Sequence, residues 1–448
     1  MRRLIYIALR LFSALDHWLR ERLTAAGWLA LGAAGAALGA GLDTTQNASY
    51  QAATLLGALL LLAWGASLFF RARIEASREL PRYATAGEPF SYVVAVENRG
   101  ARALEGATLR ERLADPRPRY DEWRRAREPG EERRNWFDRN VGYFRWRWLI
   151  ERRTPHPPQE SALPALAPGA RRLLRLTLTP RRRGRIELAG LALGRTDPLG
   201  LVRGLARLPL AARVVALPRR YRLPRLALPG RRKHQPGGVS LASSVGDSEE
   251  FLALREYRPG DPLQHIHWKS FARTGRPIVK EFQDEFFERH ALVLDTGTRR
   301  GEDAAFEDAV AVAASFVTTI DTQECLLDLL FVGGELRHYV AGRGQLHAER
   351  MLEVLAGVGP SAPQEFDALA RAVLEARAKL ASCILVLVSW DEARRRLAEA
   401  LAASGIEVRA ILACAREAVP RDAPPWLTAA HPGAVEAALA GLERRVLR

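Results

Sequence analysis

Two uninterrupted apolar stretches open the chain, short alternating runs follow, and apolar runs set apart by helical periods close it. Leu23 to Leu42 and Ser49 to Phe70 contain no charged side chain, and at about 1.5 Å per residue each reaches roughly the 30 Å of a hydrocarbon layer. They predict a two-helix transmembrane hairpin over 23–73. The connection Asp43-Thr44-Thr45-Gln46-Asn47-Ala48 has no Lys or Arg, whereas Arg2, Arg3, Arg10, Arg20 and Arg22 precede the pair and Arg71, Arg73, Arg78 and Arg82 follow it. By the positive-inside rule both ends then lie in the cytoplasm. Gly35-x-x-x-Gly39 predicts a smooth face on the first span against which the second packs. Residues 1–22 mix apolar positions with Arg10, Asp16, Arg20 and Arg22; they read as an interfacial amphipathic helix rather than the short basic start of a cleaved signal peptide.

From 74 to 222 the period changes to two. Phe90 to Glu97 before Asn98-Arg99-Gly100, Leu173 to Leu178 before Thr179-Pro180, and Ile186-Glu187-Leu188 before Ala189-Gly190 are strands ended by turn chemistry. They predict an all-β, immunoglobulin-like sandwich. Asp197-Pro198-Leu199-Gly200 is a turn, with Pro fixing φ and Gly free to take positive values. An insertion at 117–159 carries Trp123, Trp136, Trp146 and Trp148 among arginines. It reads as an edge strand and loop packed on the sandwich, with membrane contact as the next reading and stacking on nucleic acid after it.

Residues 223–250 form a basic, Pro/Gly-rich linker, and 251–289 a segment dense in charge, aromatics and turn residues. After it, over 290–448, apolar strands alternate with helices: strands at 291–294, 326–332, 336–340, 383–388 and 408–412, and helices at 306–320, 347–358, 366–380 and 392–402. That order predicts a mainly parallel, doubly wound α/β sheet. The chain is therefore expected to be multidomain.

Composition narrows the partners. The net charge of +16 rests mostly on arginine, which suits anionic lipid, an acidic protein or nucleic acid. Cys325, Cys383 and Cys414 sit in apolar runs without C-x-x-C spacing, so neither a disulfide framework nor a zinc knuckle is expected.

The most specific stretch is Arg255-Glu256-Tyr257-x-x-Gly260-Asp261, then Ile266-His267-Trp268-Lys269, Ala272-Arg273-x-Gly275 and Val279-Lys280-Glu281. It resembles the signature of the domain of unknown function 58 family. Arg181 to Arg185, Thr196 to Leu201 and Val214 to Pro218 resemble elements that precede that signature. Read from the residues, Pro259-Gly260-Asp261-Pro262 is a turn between two extended segments. Opposite charges then form a network expected to fix the junction of sandwich and α/β domain. His265-x-His267 with Asp261 is a poor zinc site for want of a fourth ligand, and Asp261, Lys280 and Glu281 lack the spacing of a nuclease centre. No catalytic constellation, metal or cofactor is expected.

The loop Asp295-Thr296-Gly297-Thr298-Arg299 resembles the Asp-x-Ser-x-Ser metal loop of von Willebrand factor type A-like domains. Gly297 and Arg299 replace both hydroxyl ligands, Thr298 is one position out of register, and Asp391 is a second carboxylate expected at the same sheet edge. A degenerate, metal-independent edge follows. Membership of the signature family implies a bacterial inner-membrane adaptor or scaffold, not an enzyme. Its implied partners are a MoxR-type AAA+ ATPase, a transglutaminase-like membrane protein and membrane lipid, with nucleic acid disfavoured. The other readings are a membrane-tethered hydrolase using the signature residues and a nucleic-acid-binding membrane protein.

Overall fold

The computed structural model of the chain describes residues 2–40, 47–128, 130–154, 160–224, 251–261, 263–282, 288–298, 303–320, 325–333, 336–340, 345–415, 419 and 423–442. The linker expected within 223–250 therefore falls almost wholly outside the described residues.

Three helices come first: α1 (Arg2–Arg22), α2 (Ala25–Ala40) and α3 (Asn47–Leu68). Among the described residues one helix, Ala48–Leu68, is long and apolar enough to cross a membrane. The first expected span is a shorter apolar helix of 16 residues, about 24 Å long, packed along α3. The expected glycine face is not what joins them. A Cβ at Gly35 or Gly39 would meet nothing within 4 Å, so neither position is needed for close approach. The close contact is at Gly27, where a Cβ would lie 2.1 Å from the Leu201 carbonyl oxygen.

Leu201 belongs to the Asp-Pro-Leu-Gly turn of the following domain. The Asp197 carboxylate ties that turn by accepting the backbone N–H of Leu199 (2.8 Å), Leu201 (2.8 Å) and Val202 (2.6 Å), and Gly200 adopts φ +75°. The turn carries the start of α2: the Thr24 hydroxyl donates to the Gly200 carbonyl (2.6 Å) and its N–H to Leu201 (3.1 Å). Leu23, Ala63 and Val202 pack together beneath it. The structural corner is thus also the seat of the helical hairpin.

The sandwich has strands β1 (Ile74–Glu79), β2 (Tyr83–Thr85), β3 (Phe90–Asn98) and β4 (Ala107–Leu113) before the insertion. After it come β5 (Ser161–Leu163), β6 (Arg171–Leu178), β7 (Gly184–Thr196) and β8 (Arg203–Leu217). A sheet β1-β3-β6 faces a sheet β2-β8-β7-β4-β5 across a core that includes Val94, Val96, Leu109, Leu166, Leu176, Leu191 and Leu193. Within it, Arg78 pairs with Glu111, which also accepts from the Tyr92 hydroxyl (2.7 Å). Burial pushes the Glu111 carboxyl above its ordinary value, against the pull of Tyr92 and Arg78.

The insertion is helical, which corrects the expected edge strand. Its helices are α4 (Tyr120–Arg125), α5 (Trp136–Val141) and α6 (Tyr143–Arg153). In α4 acidic residues fill the first turn and basic ones the last, as the helix dipole favours. Asn135 caps α5 by accepting the Asp138 N–H (2.7 Å), and Gly142 at φ +64° separates α5 from α6. Two tryptophans serve as core: Trp123 and Trp146 are buried with Tyr6 of α1.

After the linker come β9 (Phe251–Glu256), α7 (Trp268–Thr274) and β10 (Ile278–Phe282), with β9 and β10 an antiparallel pair. The α/β domain follows: β11 (Glu288–Leu294), α8 (Asp303–Thr319), β12 (Cys325–Val332), β13 (Leu336–Val340), α9 (Gln345–Gly357), α10 (Phe366–Ala376), β14 (Ser382–Leu387), α11 (Glu392–Ala403) and β15 (Glu407–Ala413). Two further elements, β16 (Leu427–Ala430) and α12 (Val435–Ala440), complete it and were not expected from the sequence. The sheet order is β13-β12-β11-β14-β15-β16, parallel except for the edge strand β13. One face packs on α8, α9 and α12, the other on α10 and α11.

Among the described residues the junction between sandwich and α/β domain rests on contacts other than the signature network that was expected to fix it. Arg183, just before β7, inserts its guanidinium instead: it pairs with Glu307, donates to the Leu355 (3.0 Å) and Val358 carbonyls, and lies 5.1 Å from the Phe306 ring. The end of β8 joins the same core through Leu217, and Tyr221 donates its N–H to Ser315 (2.8 Å). Arg183→Ala would leave the two carbonyls without this donor and Glu307 without its partner. We expect a loss of about 1.5–3 kcal/mol in thermal unfolding and new proteolytic sensitivity at the junction. Unchanged cooperativity would show that the apolar contact of Leu217 suffices.

Candidate functional site

The order of the α/β sheet reverses between β11 and β14, which makes the crevice at their carboxyl ends the topological switch point where such sheets usually bind ligands. Asp295 follows β11 and Asp391 caps α11 after β14, so the structure brings these two together as expected. What stands between them is Arg394, which sequence reasoning missed. Its Nε donates to Asp295 Oδ2 (2.9 Å), its Nη2 to Asp295 Oδ1 (3.2 Å) and its Nη1 to Asp391. Asp295 also accepts the backbone N–H of Gly297 (2.9 Å) and lies 3.5 Å from the Val388 N–H. Asp295 is 1% exposed and Arg394 2%; the guanidinium is further covered by the Phe366 ring at 4.2 Å. Burial opposes the charge of Arg394, but the hydrogen bonds and charge of Asp295 outweigh it and hold its pKa above the ordinary value.

A divalent cation does not fit here. The guanidinium already occupies the carboxylate oxygens, and Gly297 offers no ligand. A Cβ at Gly297 would sit 3.1 Å from Pro363 Cα and 3.3 Å from Arg394 Nη2. Thr298 is held through its backbone by the Ser361 carbonyl (3.2 Å), and the Thr296 hydroxyl donates to Val332 (2.6 Å). Arg299 lies outside the described residues. The signal for Arg394 was the i,i+3 spacing from a helix-capping aspartate, hidden in the run Arg394-Arg395-Arg396 that reads as a solvated helix face.

The signature segment forms a small hairpin closed by its own charges. Arg255 on β9 forks onto Asp261 (2.7 and 2.8 Å), which also accepts the Arg258 N–H (2.8 Å), while Gly260 takes φ +108°. Those hydrogen bonds, that of Arg255 first, pull the Asp261 pKa down to about 2. Glu256 reaches Arg276 (3.4 Å), and the Tyr257 N–H donates to the Pro277 carbonyl (2.9 Å). His267 gives its ring Nδ1 to the Ser270 hydroxyl (2.7 Å) beside the start of α7, and its N–H to the Ile278 carbonyl (2.8 Å). Among the described residues no group of three or more His, Cys, Asp or Glu is placed to hold a metal ion. Among the side chains of this segment whose burial is described, Ile266 and Val279 are the buried ones. Trp268 is 63% exposed and edge-on to Phe271, with Lys269 and Arg273 of the same helix also exposed. Lys280 and Glu281 lie on β10, and the Lys280 side chain is half-buried.

Residues 253–418 match the family described as Protein of unknown function DUF58, and this part of the chain belongs to that family. The uncharacterized protein YeaD of Bacillus subtilis (strain 168) is 30% identical over 126 residues, which is 28% of this chain and 31% of that protein. The match thus spans about a third of that relative's length. Among solved structures, the CARDB domain of a Pyrococcus furiosus protein matches 32% of this chain, both in solution (TM-score 0.17, 10% identity, 93% of that chain) and in a crystal with di-metal ions (0.17, 12%, 86%). A β-glucosidase from Listeria innocua in complex with glucose matches 32% of this chain and 16% of that one (0.18, 12%). These scores are too low to carry an argument, and the sandwich rests on its own strand pairing.

Two outcomes follow from this geometry. Removing Arg394 strands a buried carboxylate, so Arg394→Met should cost about 3–5 kcal/mol; adding Asp295→Asn should recover part of that loss, as a double-mutant cycle would measure. Asp261 supports the turn fully above the ordinary aspartate range and loses that support as pH falls toward 2. In Arg255→Ala its carboxyl should titrate nearer the ordinary 3.8, which carbon-detected NMR would read; an unmoved midpoint would remove Arg255 as the cause.

Proposed function

We propose that the protein is a non-enzymatic adaptor of the bacterial inner membrane. In this reading α2 and α3 form a two-span hairpin with both chain ends cytoplasmic, and the α/β domain is a von Willebrand factor type A-like domain with an arginine in the metal position. The signature hairpin docks a MoxR-type AAA+ ATPase, and a transglutaminase-like membrane protein is a further partner. The ATPase and transglutaminase assignments rest on the family resemblance.

The observation that carries the reading is the division of labour in the signature. Its polar residues lock one another, Arg255 on Asp261 above all, and the lock presents Leu263, Trp268 and Phe271 to solvent. An exposed tryptophan on a rigid hairpin has the character of an interface anchor, whereas a carboxylate held near pKa 2 by an arginine fork is a poor general base. Membrane attachment draws support from α1. This helix packs Ile5, Tyr6, Leu9 and Leu19 against the protein and leaves Leu4, Ile7, Leu11, Phe12 and Leu15 exposed beside Arg3, Arg10 and Arg20. Large apolar side chains exposed among arginines suit the boundary between lipid headgroups and acyl chains.

Full-length protein should capture an ATP-locked MoxR-type ATPase with or without EDTA, because no metal holds the switch point. Trp268→Ala should weaken capture by roughly 30-fold, the equivalent of a hot spot of about 2 kcal/mol, with its melting temperature unchanged. Undiminished capture by that variant, or capture that needs magnesium on the adaptor, would overturn the reading. Reporter fusions should be cytoplasmic after Arg73 and Arg448 and periplasmic near Asn47; a periplasmic C-terminus would end the hairpin.

A further inference from the structure

The insertion closes over the switch-point end of the α/β sheet and leaves a cleft of about 590 Å³ between them. One wall is Thr298, Pro360 and Ser361; the other is built from α1, α4 and α5. The acidic side chains of the lining are mostly committed. Glu131 pairs with the buried Arg145, Glu128 with Arg134 and Asp303 with Arg152. Apart from Arg145 the basic ones are not ion-paired: Arg2, Arg124, Arg127 and Arg139 line the same cleft, are exposed, and form no ion pair with any described residue, though Arg127 donates to the Arg124 and Ala126 carbonyls. Glu132 alone among the lining acids is left to oppose them. Trp136 beside them is 69% exposed. The floor beneath is rigid, because Trp123 is buried and its indole N–H donates to the Gly142 carbonyl (3.2 Å).

We propose that this cleft binds an extended acidic peptide segment of a partner protein, the arginines taking Asp or Glu carboxylates and Trp136 covering the chain between them. Guanidinium forks match carboxylates in two-point contacts, and their surplus over uncommitted acid gives the cleft a positive field. Arg2, Arg124 and Arg139 stand on three separate helices and Arg127 on the loop after α4. No glycine-rich loop of the phosphate-binding kind is present in the sequence. That spacing suits charges distributed along a chain better than one compact polyphosphate. The inference deepens the adaptor reading by assigning the insertion a second contact, separate from the signature hairpin.

Fluorescence anisotropy with a labelled deca-glutamate peptide and full-length protein in uncharged detergent tests it. Wild type should bind, more weakly as salt rises, and Arg124→Gln with Arg139→Gln should weaken binding at least about tenfold. Arg172→Gln, an exposed arginine of the outer sheet, should bind as wild type, and all variants should melt alike. The double variant binding as wild type, or Arg172→Gln weakening as much, would overturn the site. Inorganic triphosphate displacing the peptide at equal charge concentration would overturn the peptide assignment. Because Trp268→Ala tests ATPase capture and leaves this cleft untouched, failure of the adaptor reading and failure of the cleft give different patterns.

Discussion

The guanidinium of Arg183 decides the shape of everything else. This side chain reaches out of the sandwich, caps two carbonyls of the α9 region and pairs with Glu307, beside the Leu217 contact that joins the end of β8 to the α/β core. At the other end of the same strands the Asp197 turn seats the helical hairpin. Strands β7 and β8 therefore run between the two contacts, the Asp197 turn at one end and the Arg183 and Leu217 contacts at the other. The insertion adds a second strut, where Arg152 meets Asp303 (2.6 Å). Both the switch point and the cleft above it are consequently held at a set position relative to the hairpin.

At the switch point an arginine does work that a bound cation could do between two carboxylates. Both bridge carboxylates from the ends of two strands, but the physics differs. A divalent ion keeps open positions that an incoming carboxylate can fill. A guanidinium is planar, permanently charged and directional, and here its donors already point at Asp295 and Asp391. It closes the crevice as a structural lock. Gly297 belongs to the same solution, because the space its missing side chain vacates lies against the guanidinium and Pro363. Recognition at this end of the sheet must then come from what surrounds the lock.

Much of the architecture was legible because hydrophobic periodicity is local. The apolar helices, the alternating strands of the sandwich and the helix–strand alternation of the α/β domain all rest on patterns within one element. The Asp-Pro-Leu-Gly corner was readable as a turn, though nothing in it announced that α2 would sit on it. The insertion misled because tryptophans and arginines fit a strand, a helix or an interface equally well; Tyr6 of α1, more than a hundred positions away, decides that Trp123 and Trp146 are core. Strand β16 and α12 follow residues too poor in periodicity to identify. Partners distant in sequence were the systematic omission: Arg78 with Glu111, Arg183 with Glu307, Arg394 with Asp295. In an arginine-rich chain each of these looks like one more solvated cation.

The candidate site shows the same limit from the other side. The signature residues were found by their density, and their pairing of Arg255 with Asp261 follows from a turn that Gly260 makes possible. Which of them face outward does not follow, since Trp268 in a short amphipathic helix fits burial as readily as exposure. Among the side chains of the hairpin whose burial is described, Ile266 and Val279 are the buried ones, while Trp268, Phe271 and Leu263 stand exposed. The β9–β10 ladder and the ion-paired turn together hold the unit's shape. The polar lock and the exposed aromatics are therefore one arrangement, in which paired charges fix the turn and the aromatic surface beside it is the part that the proposed docking uses.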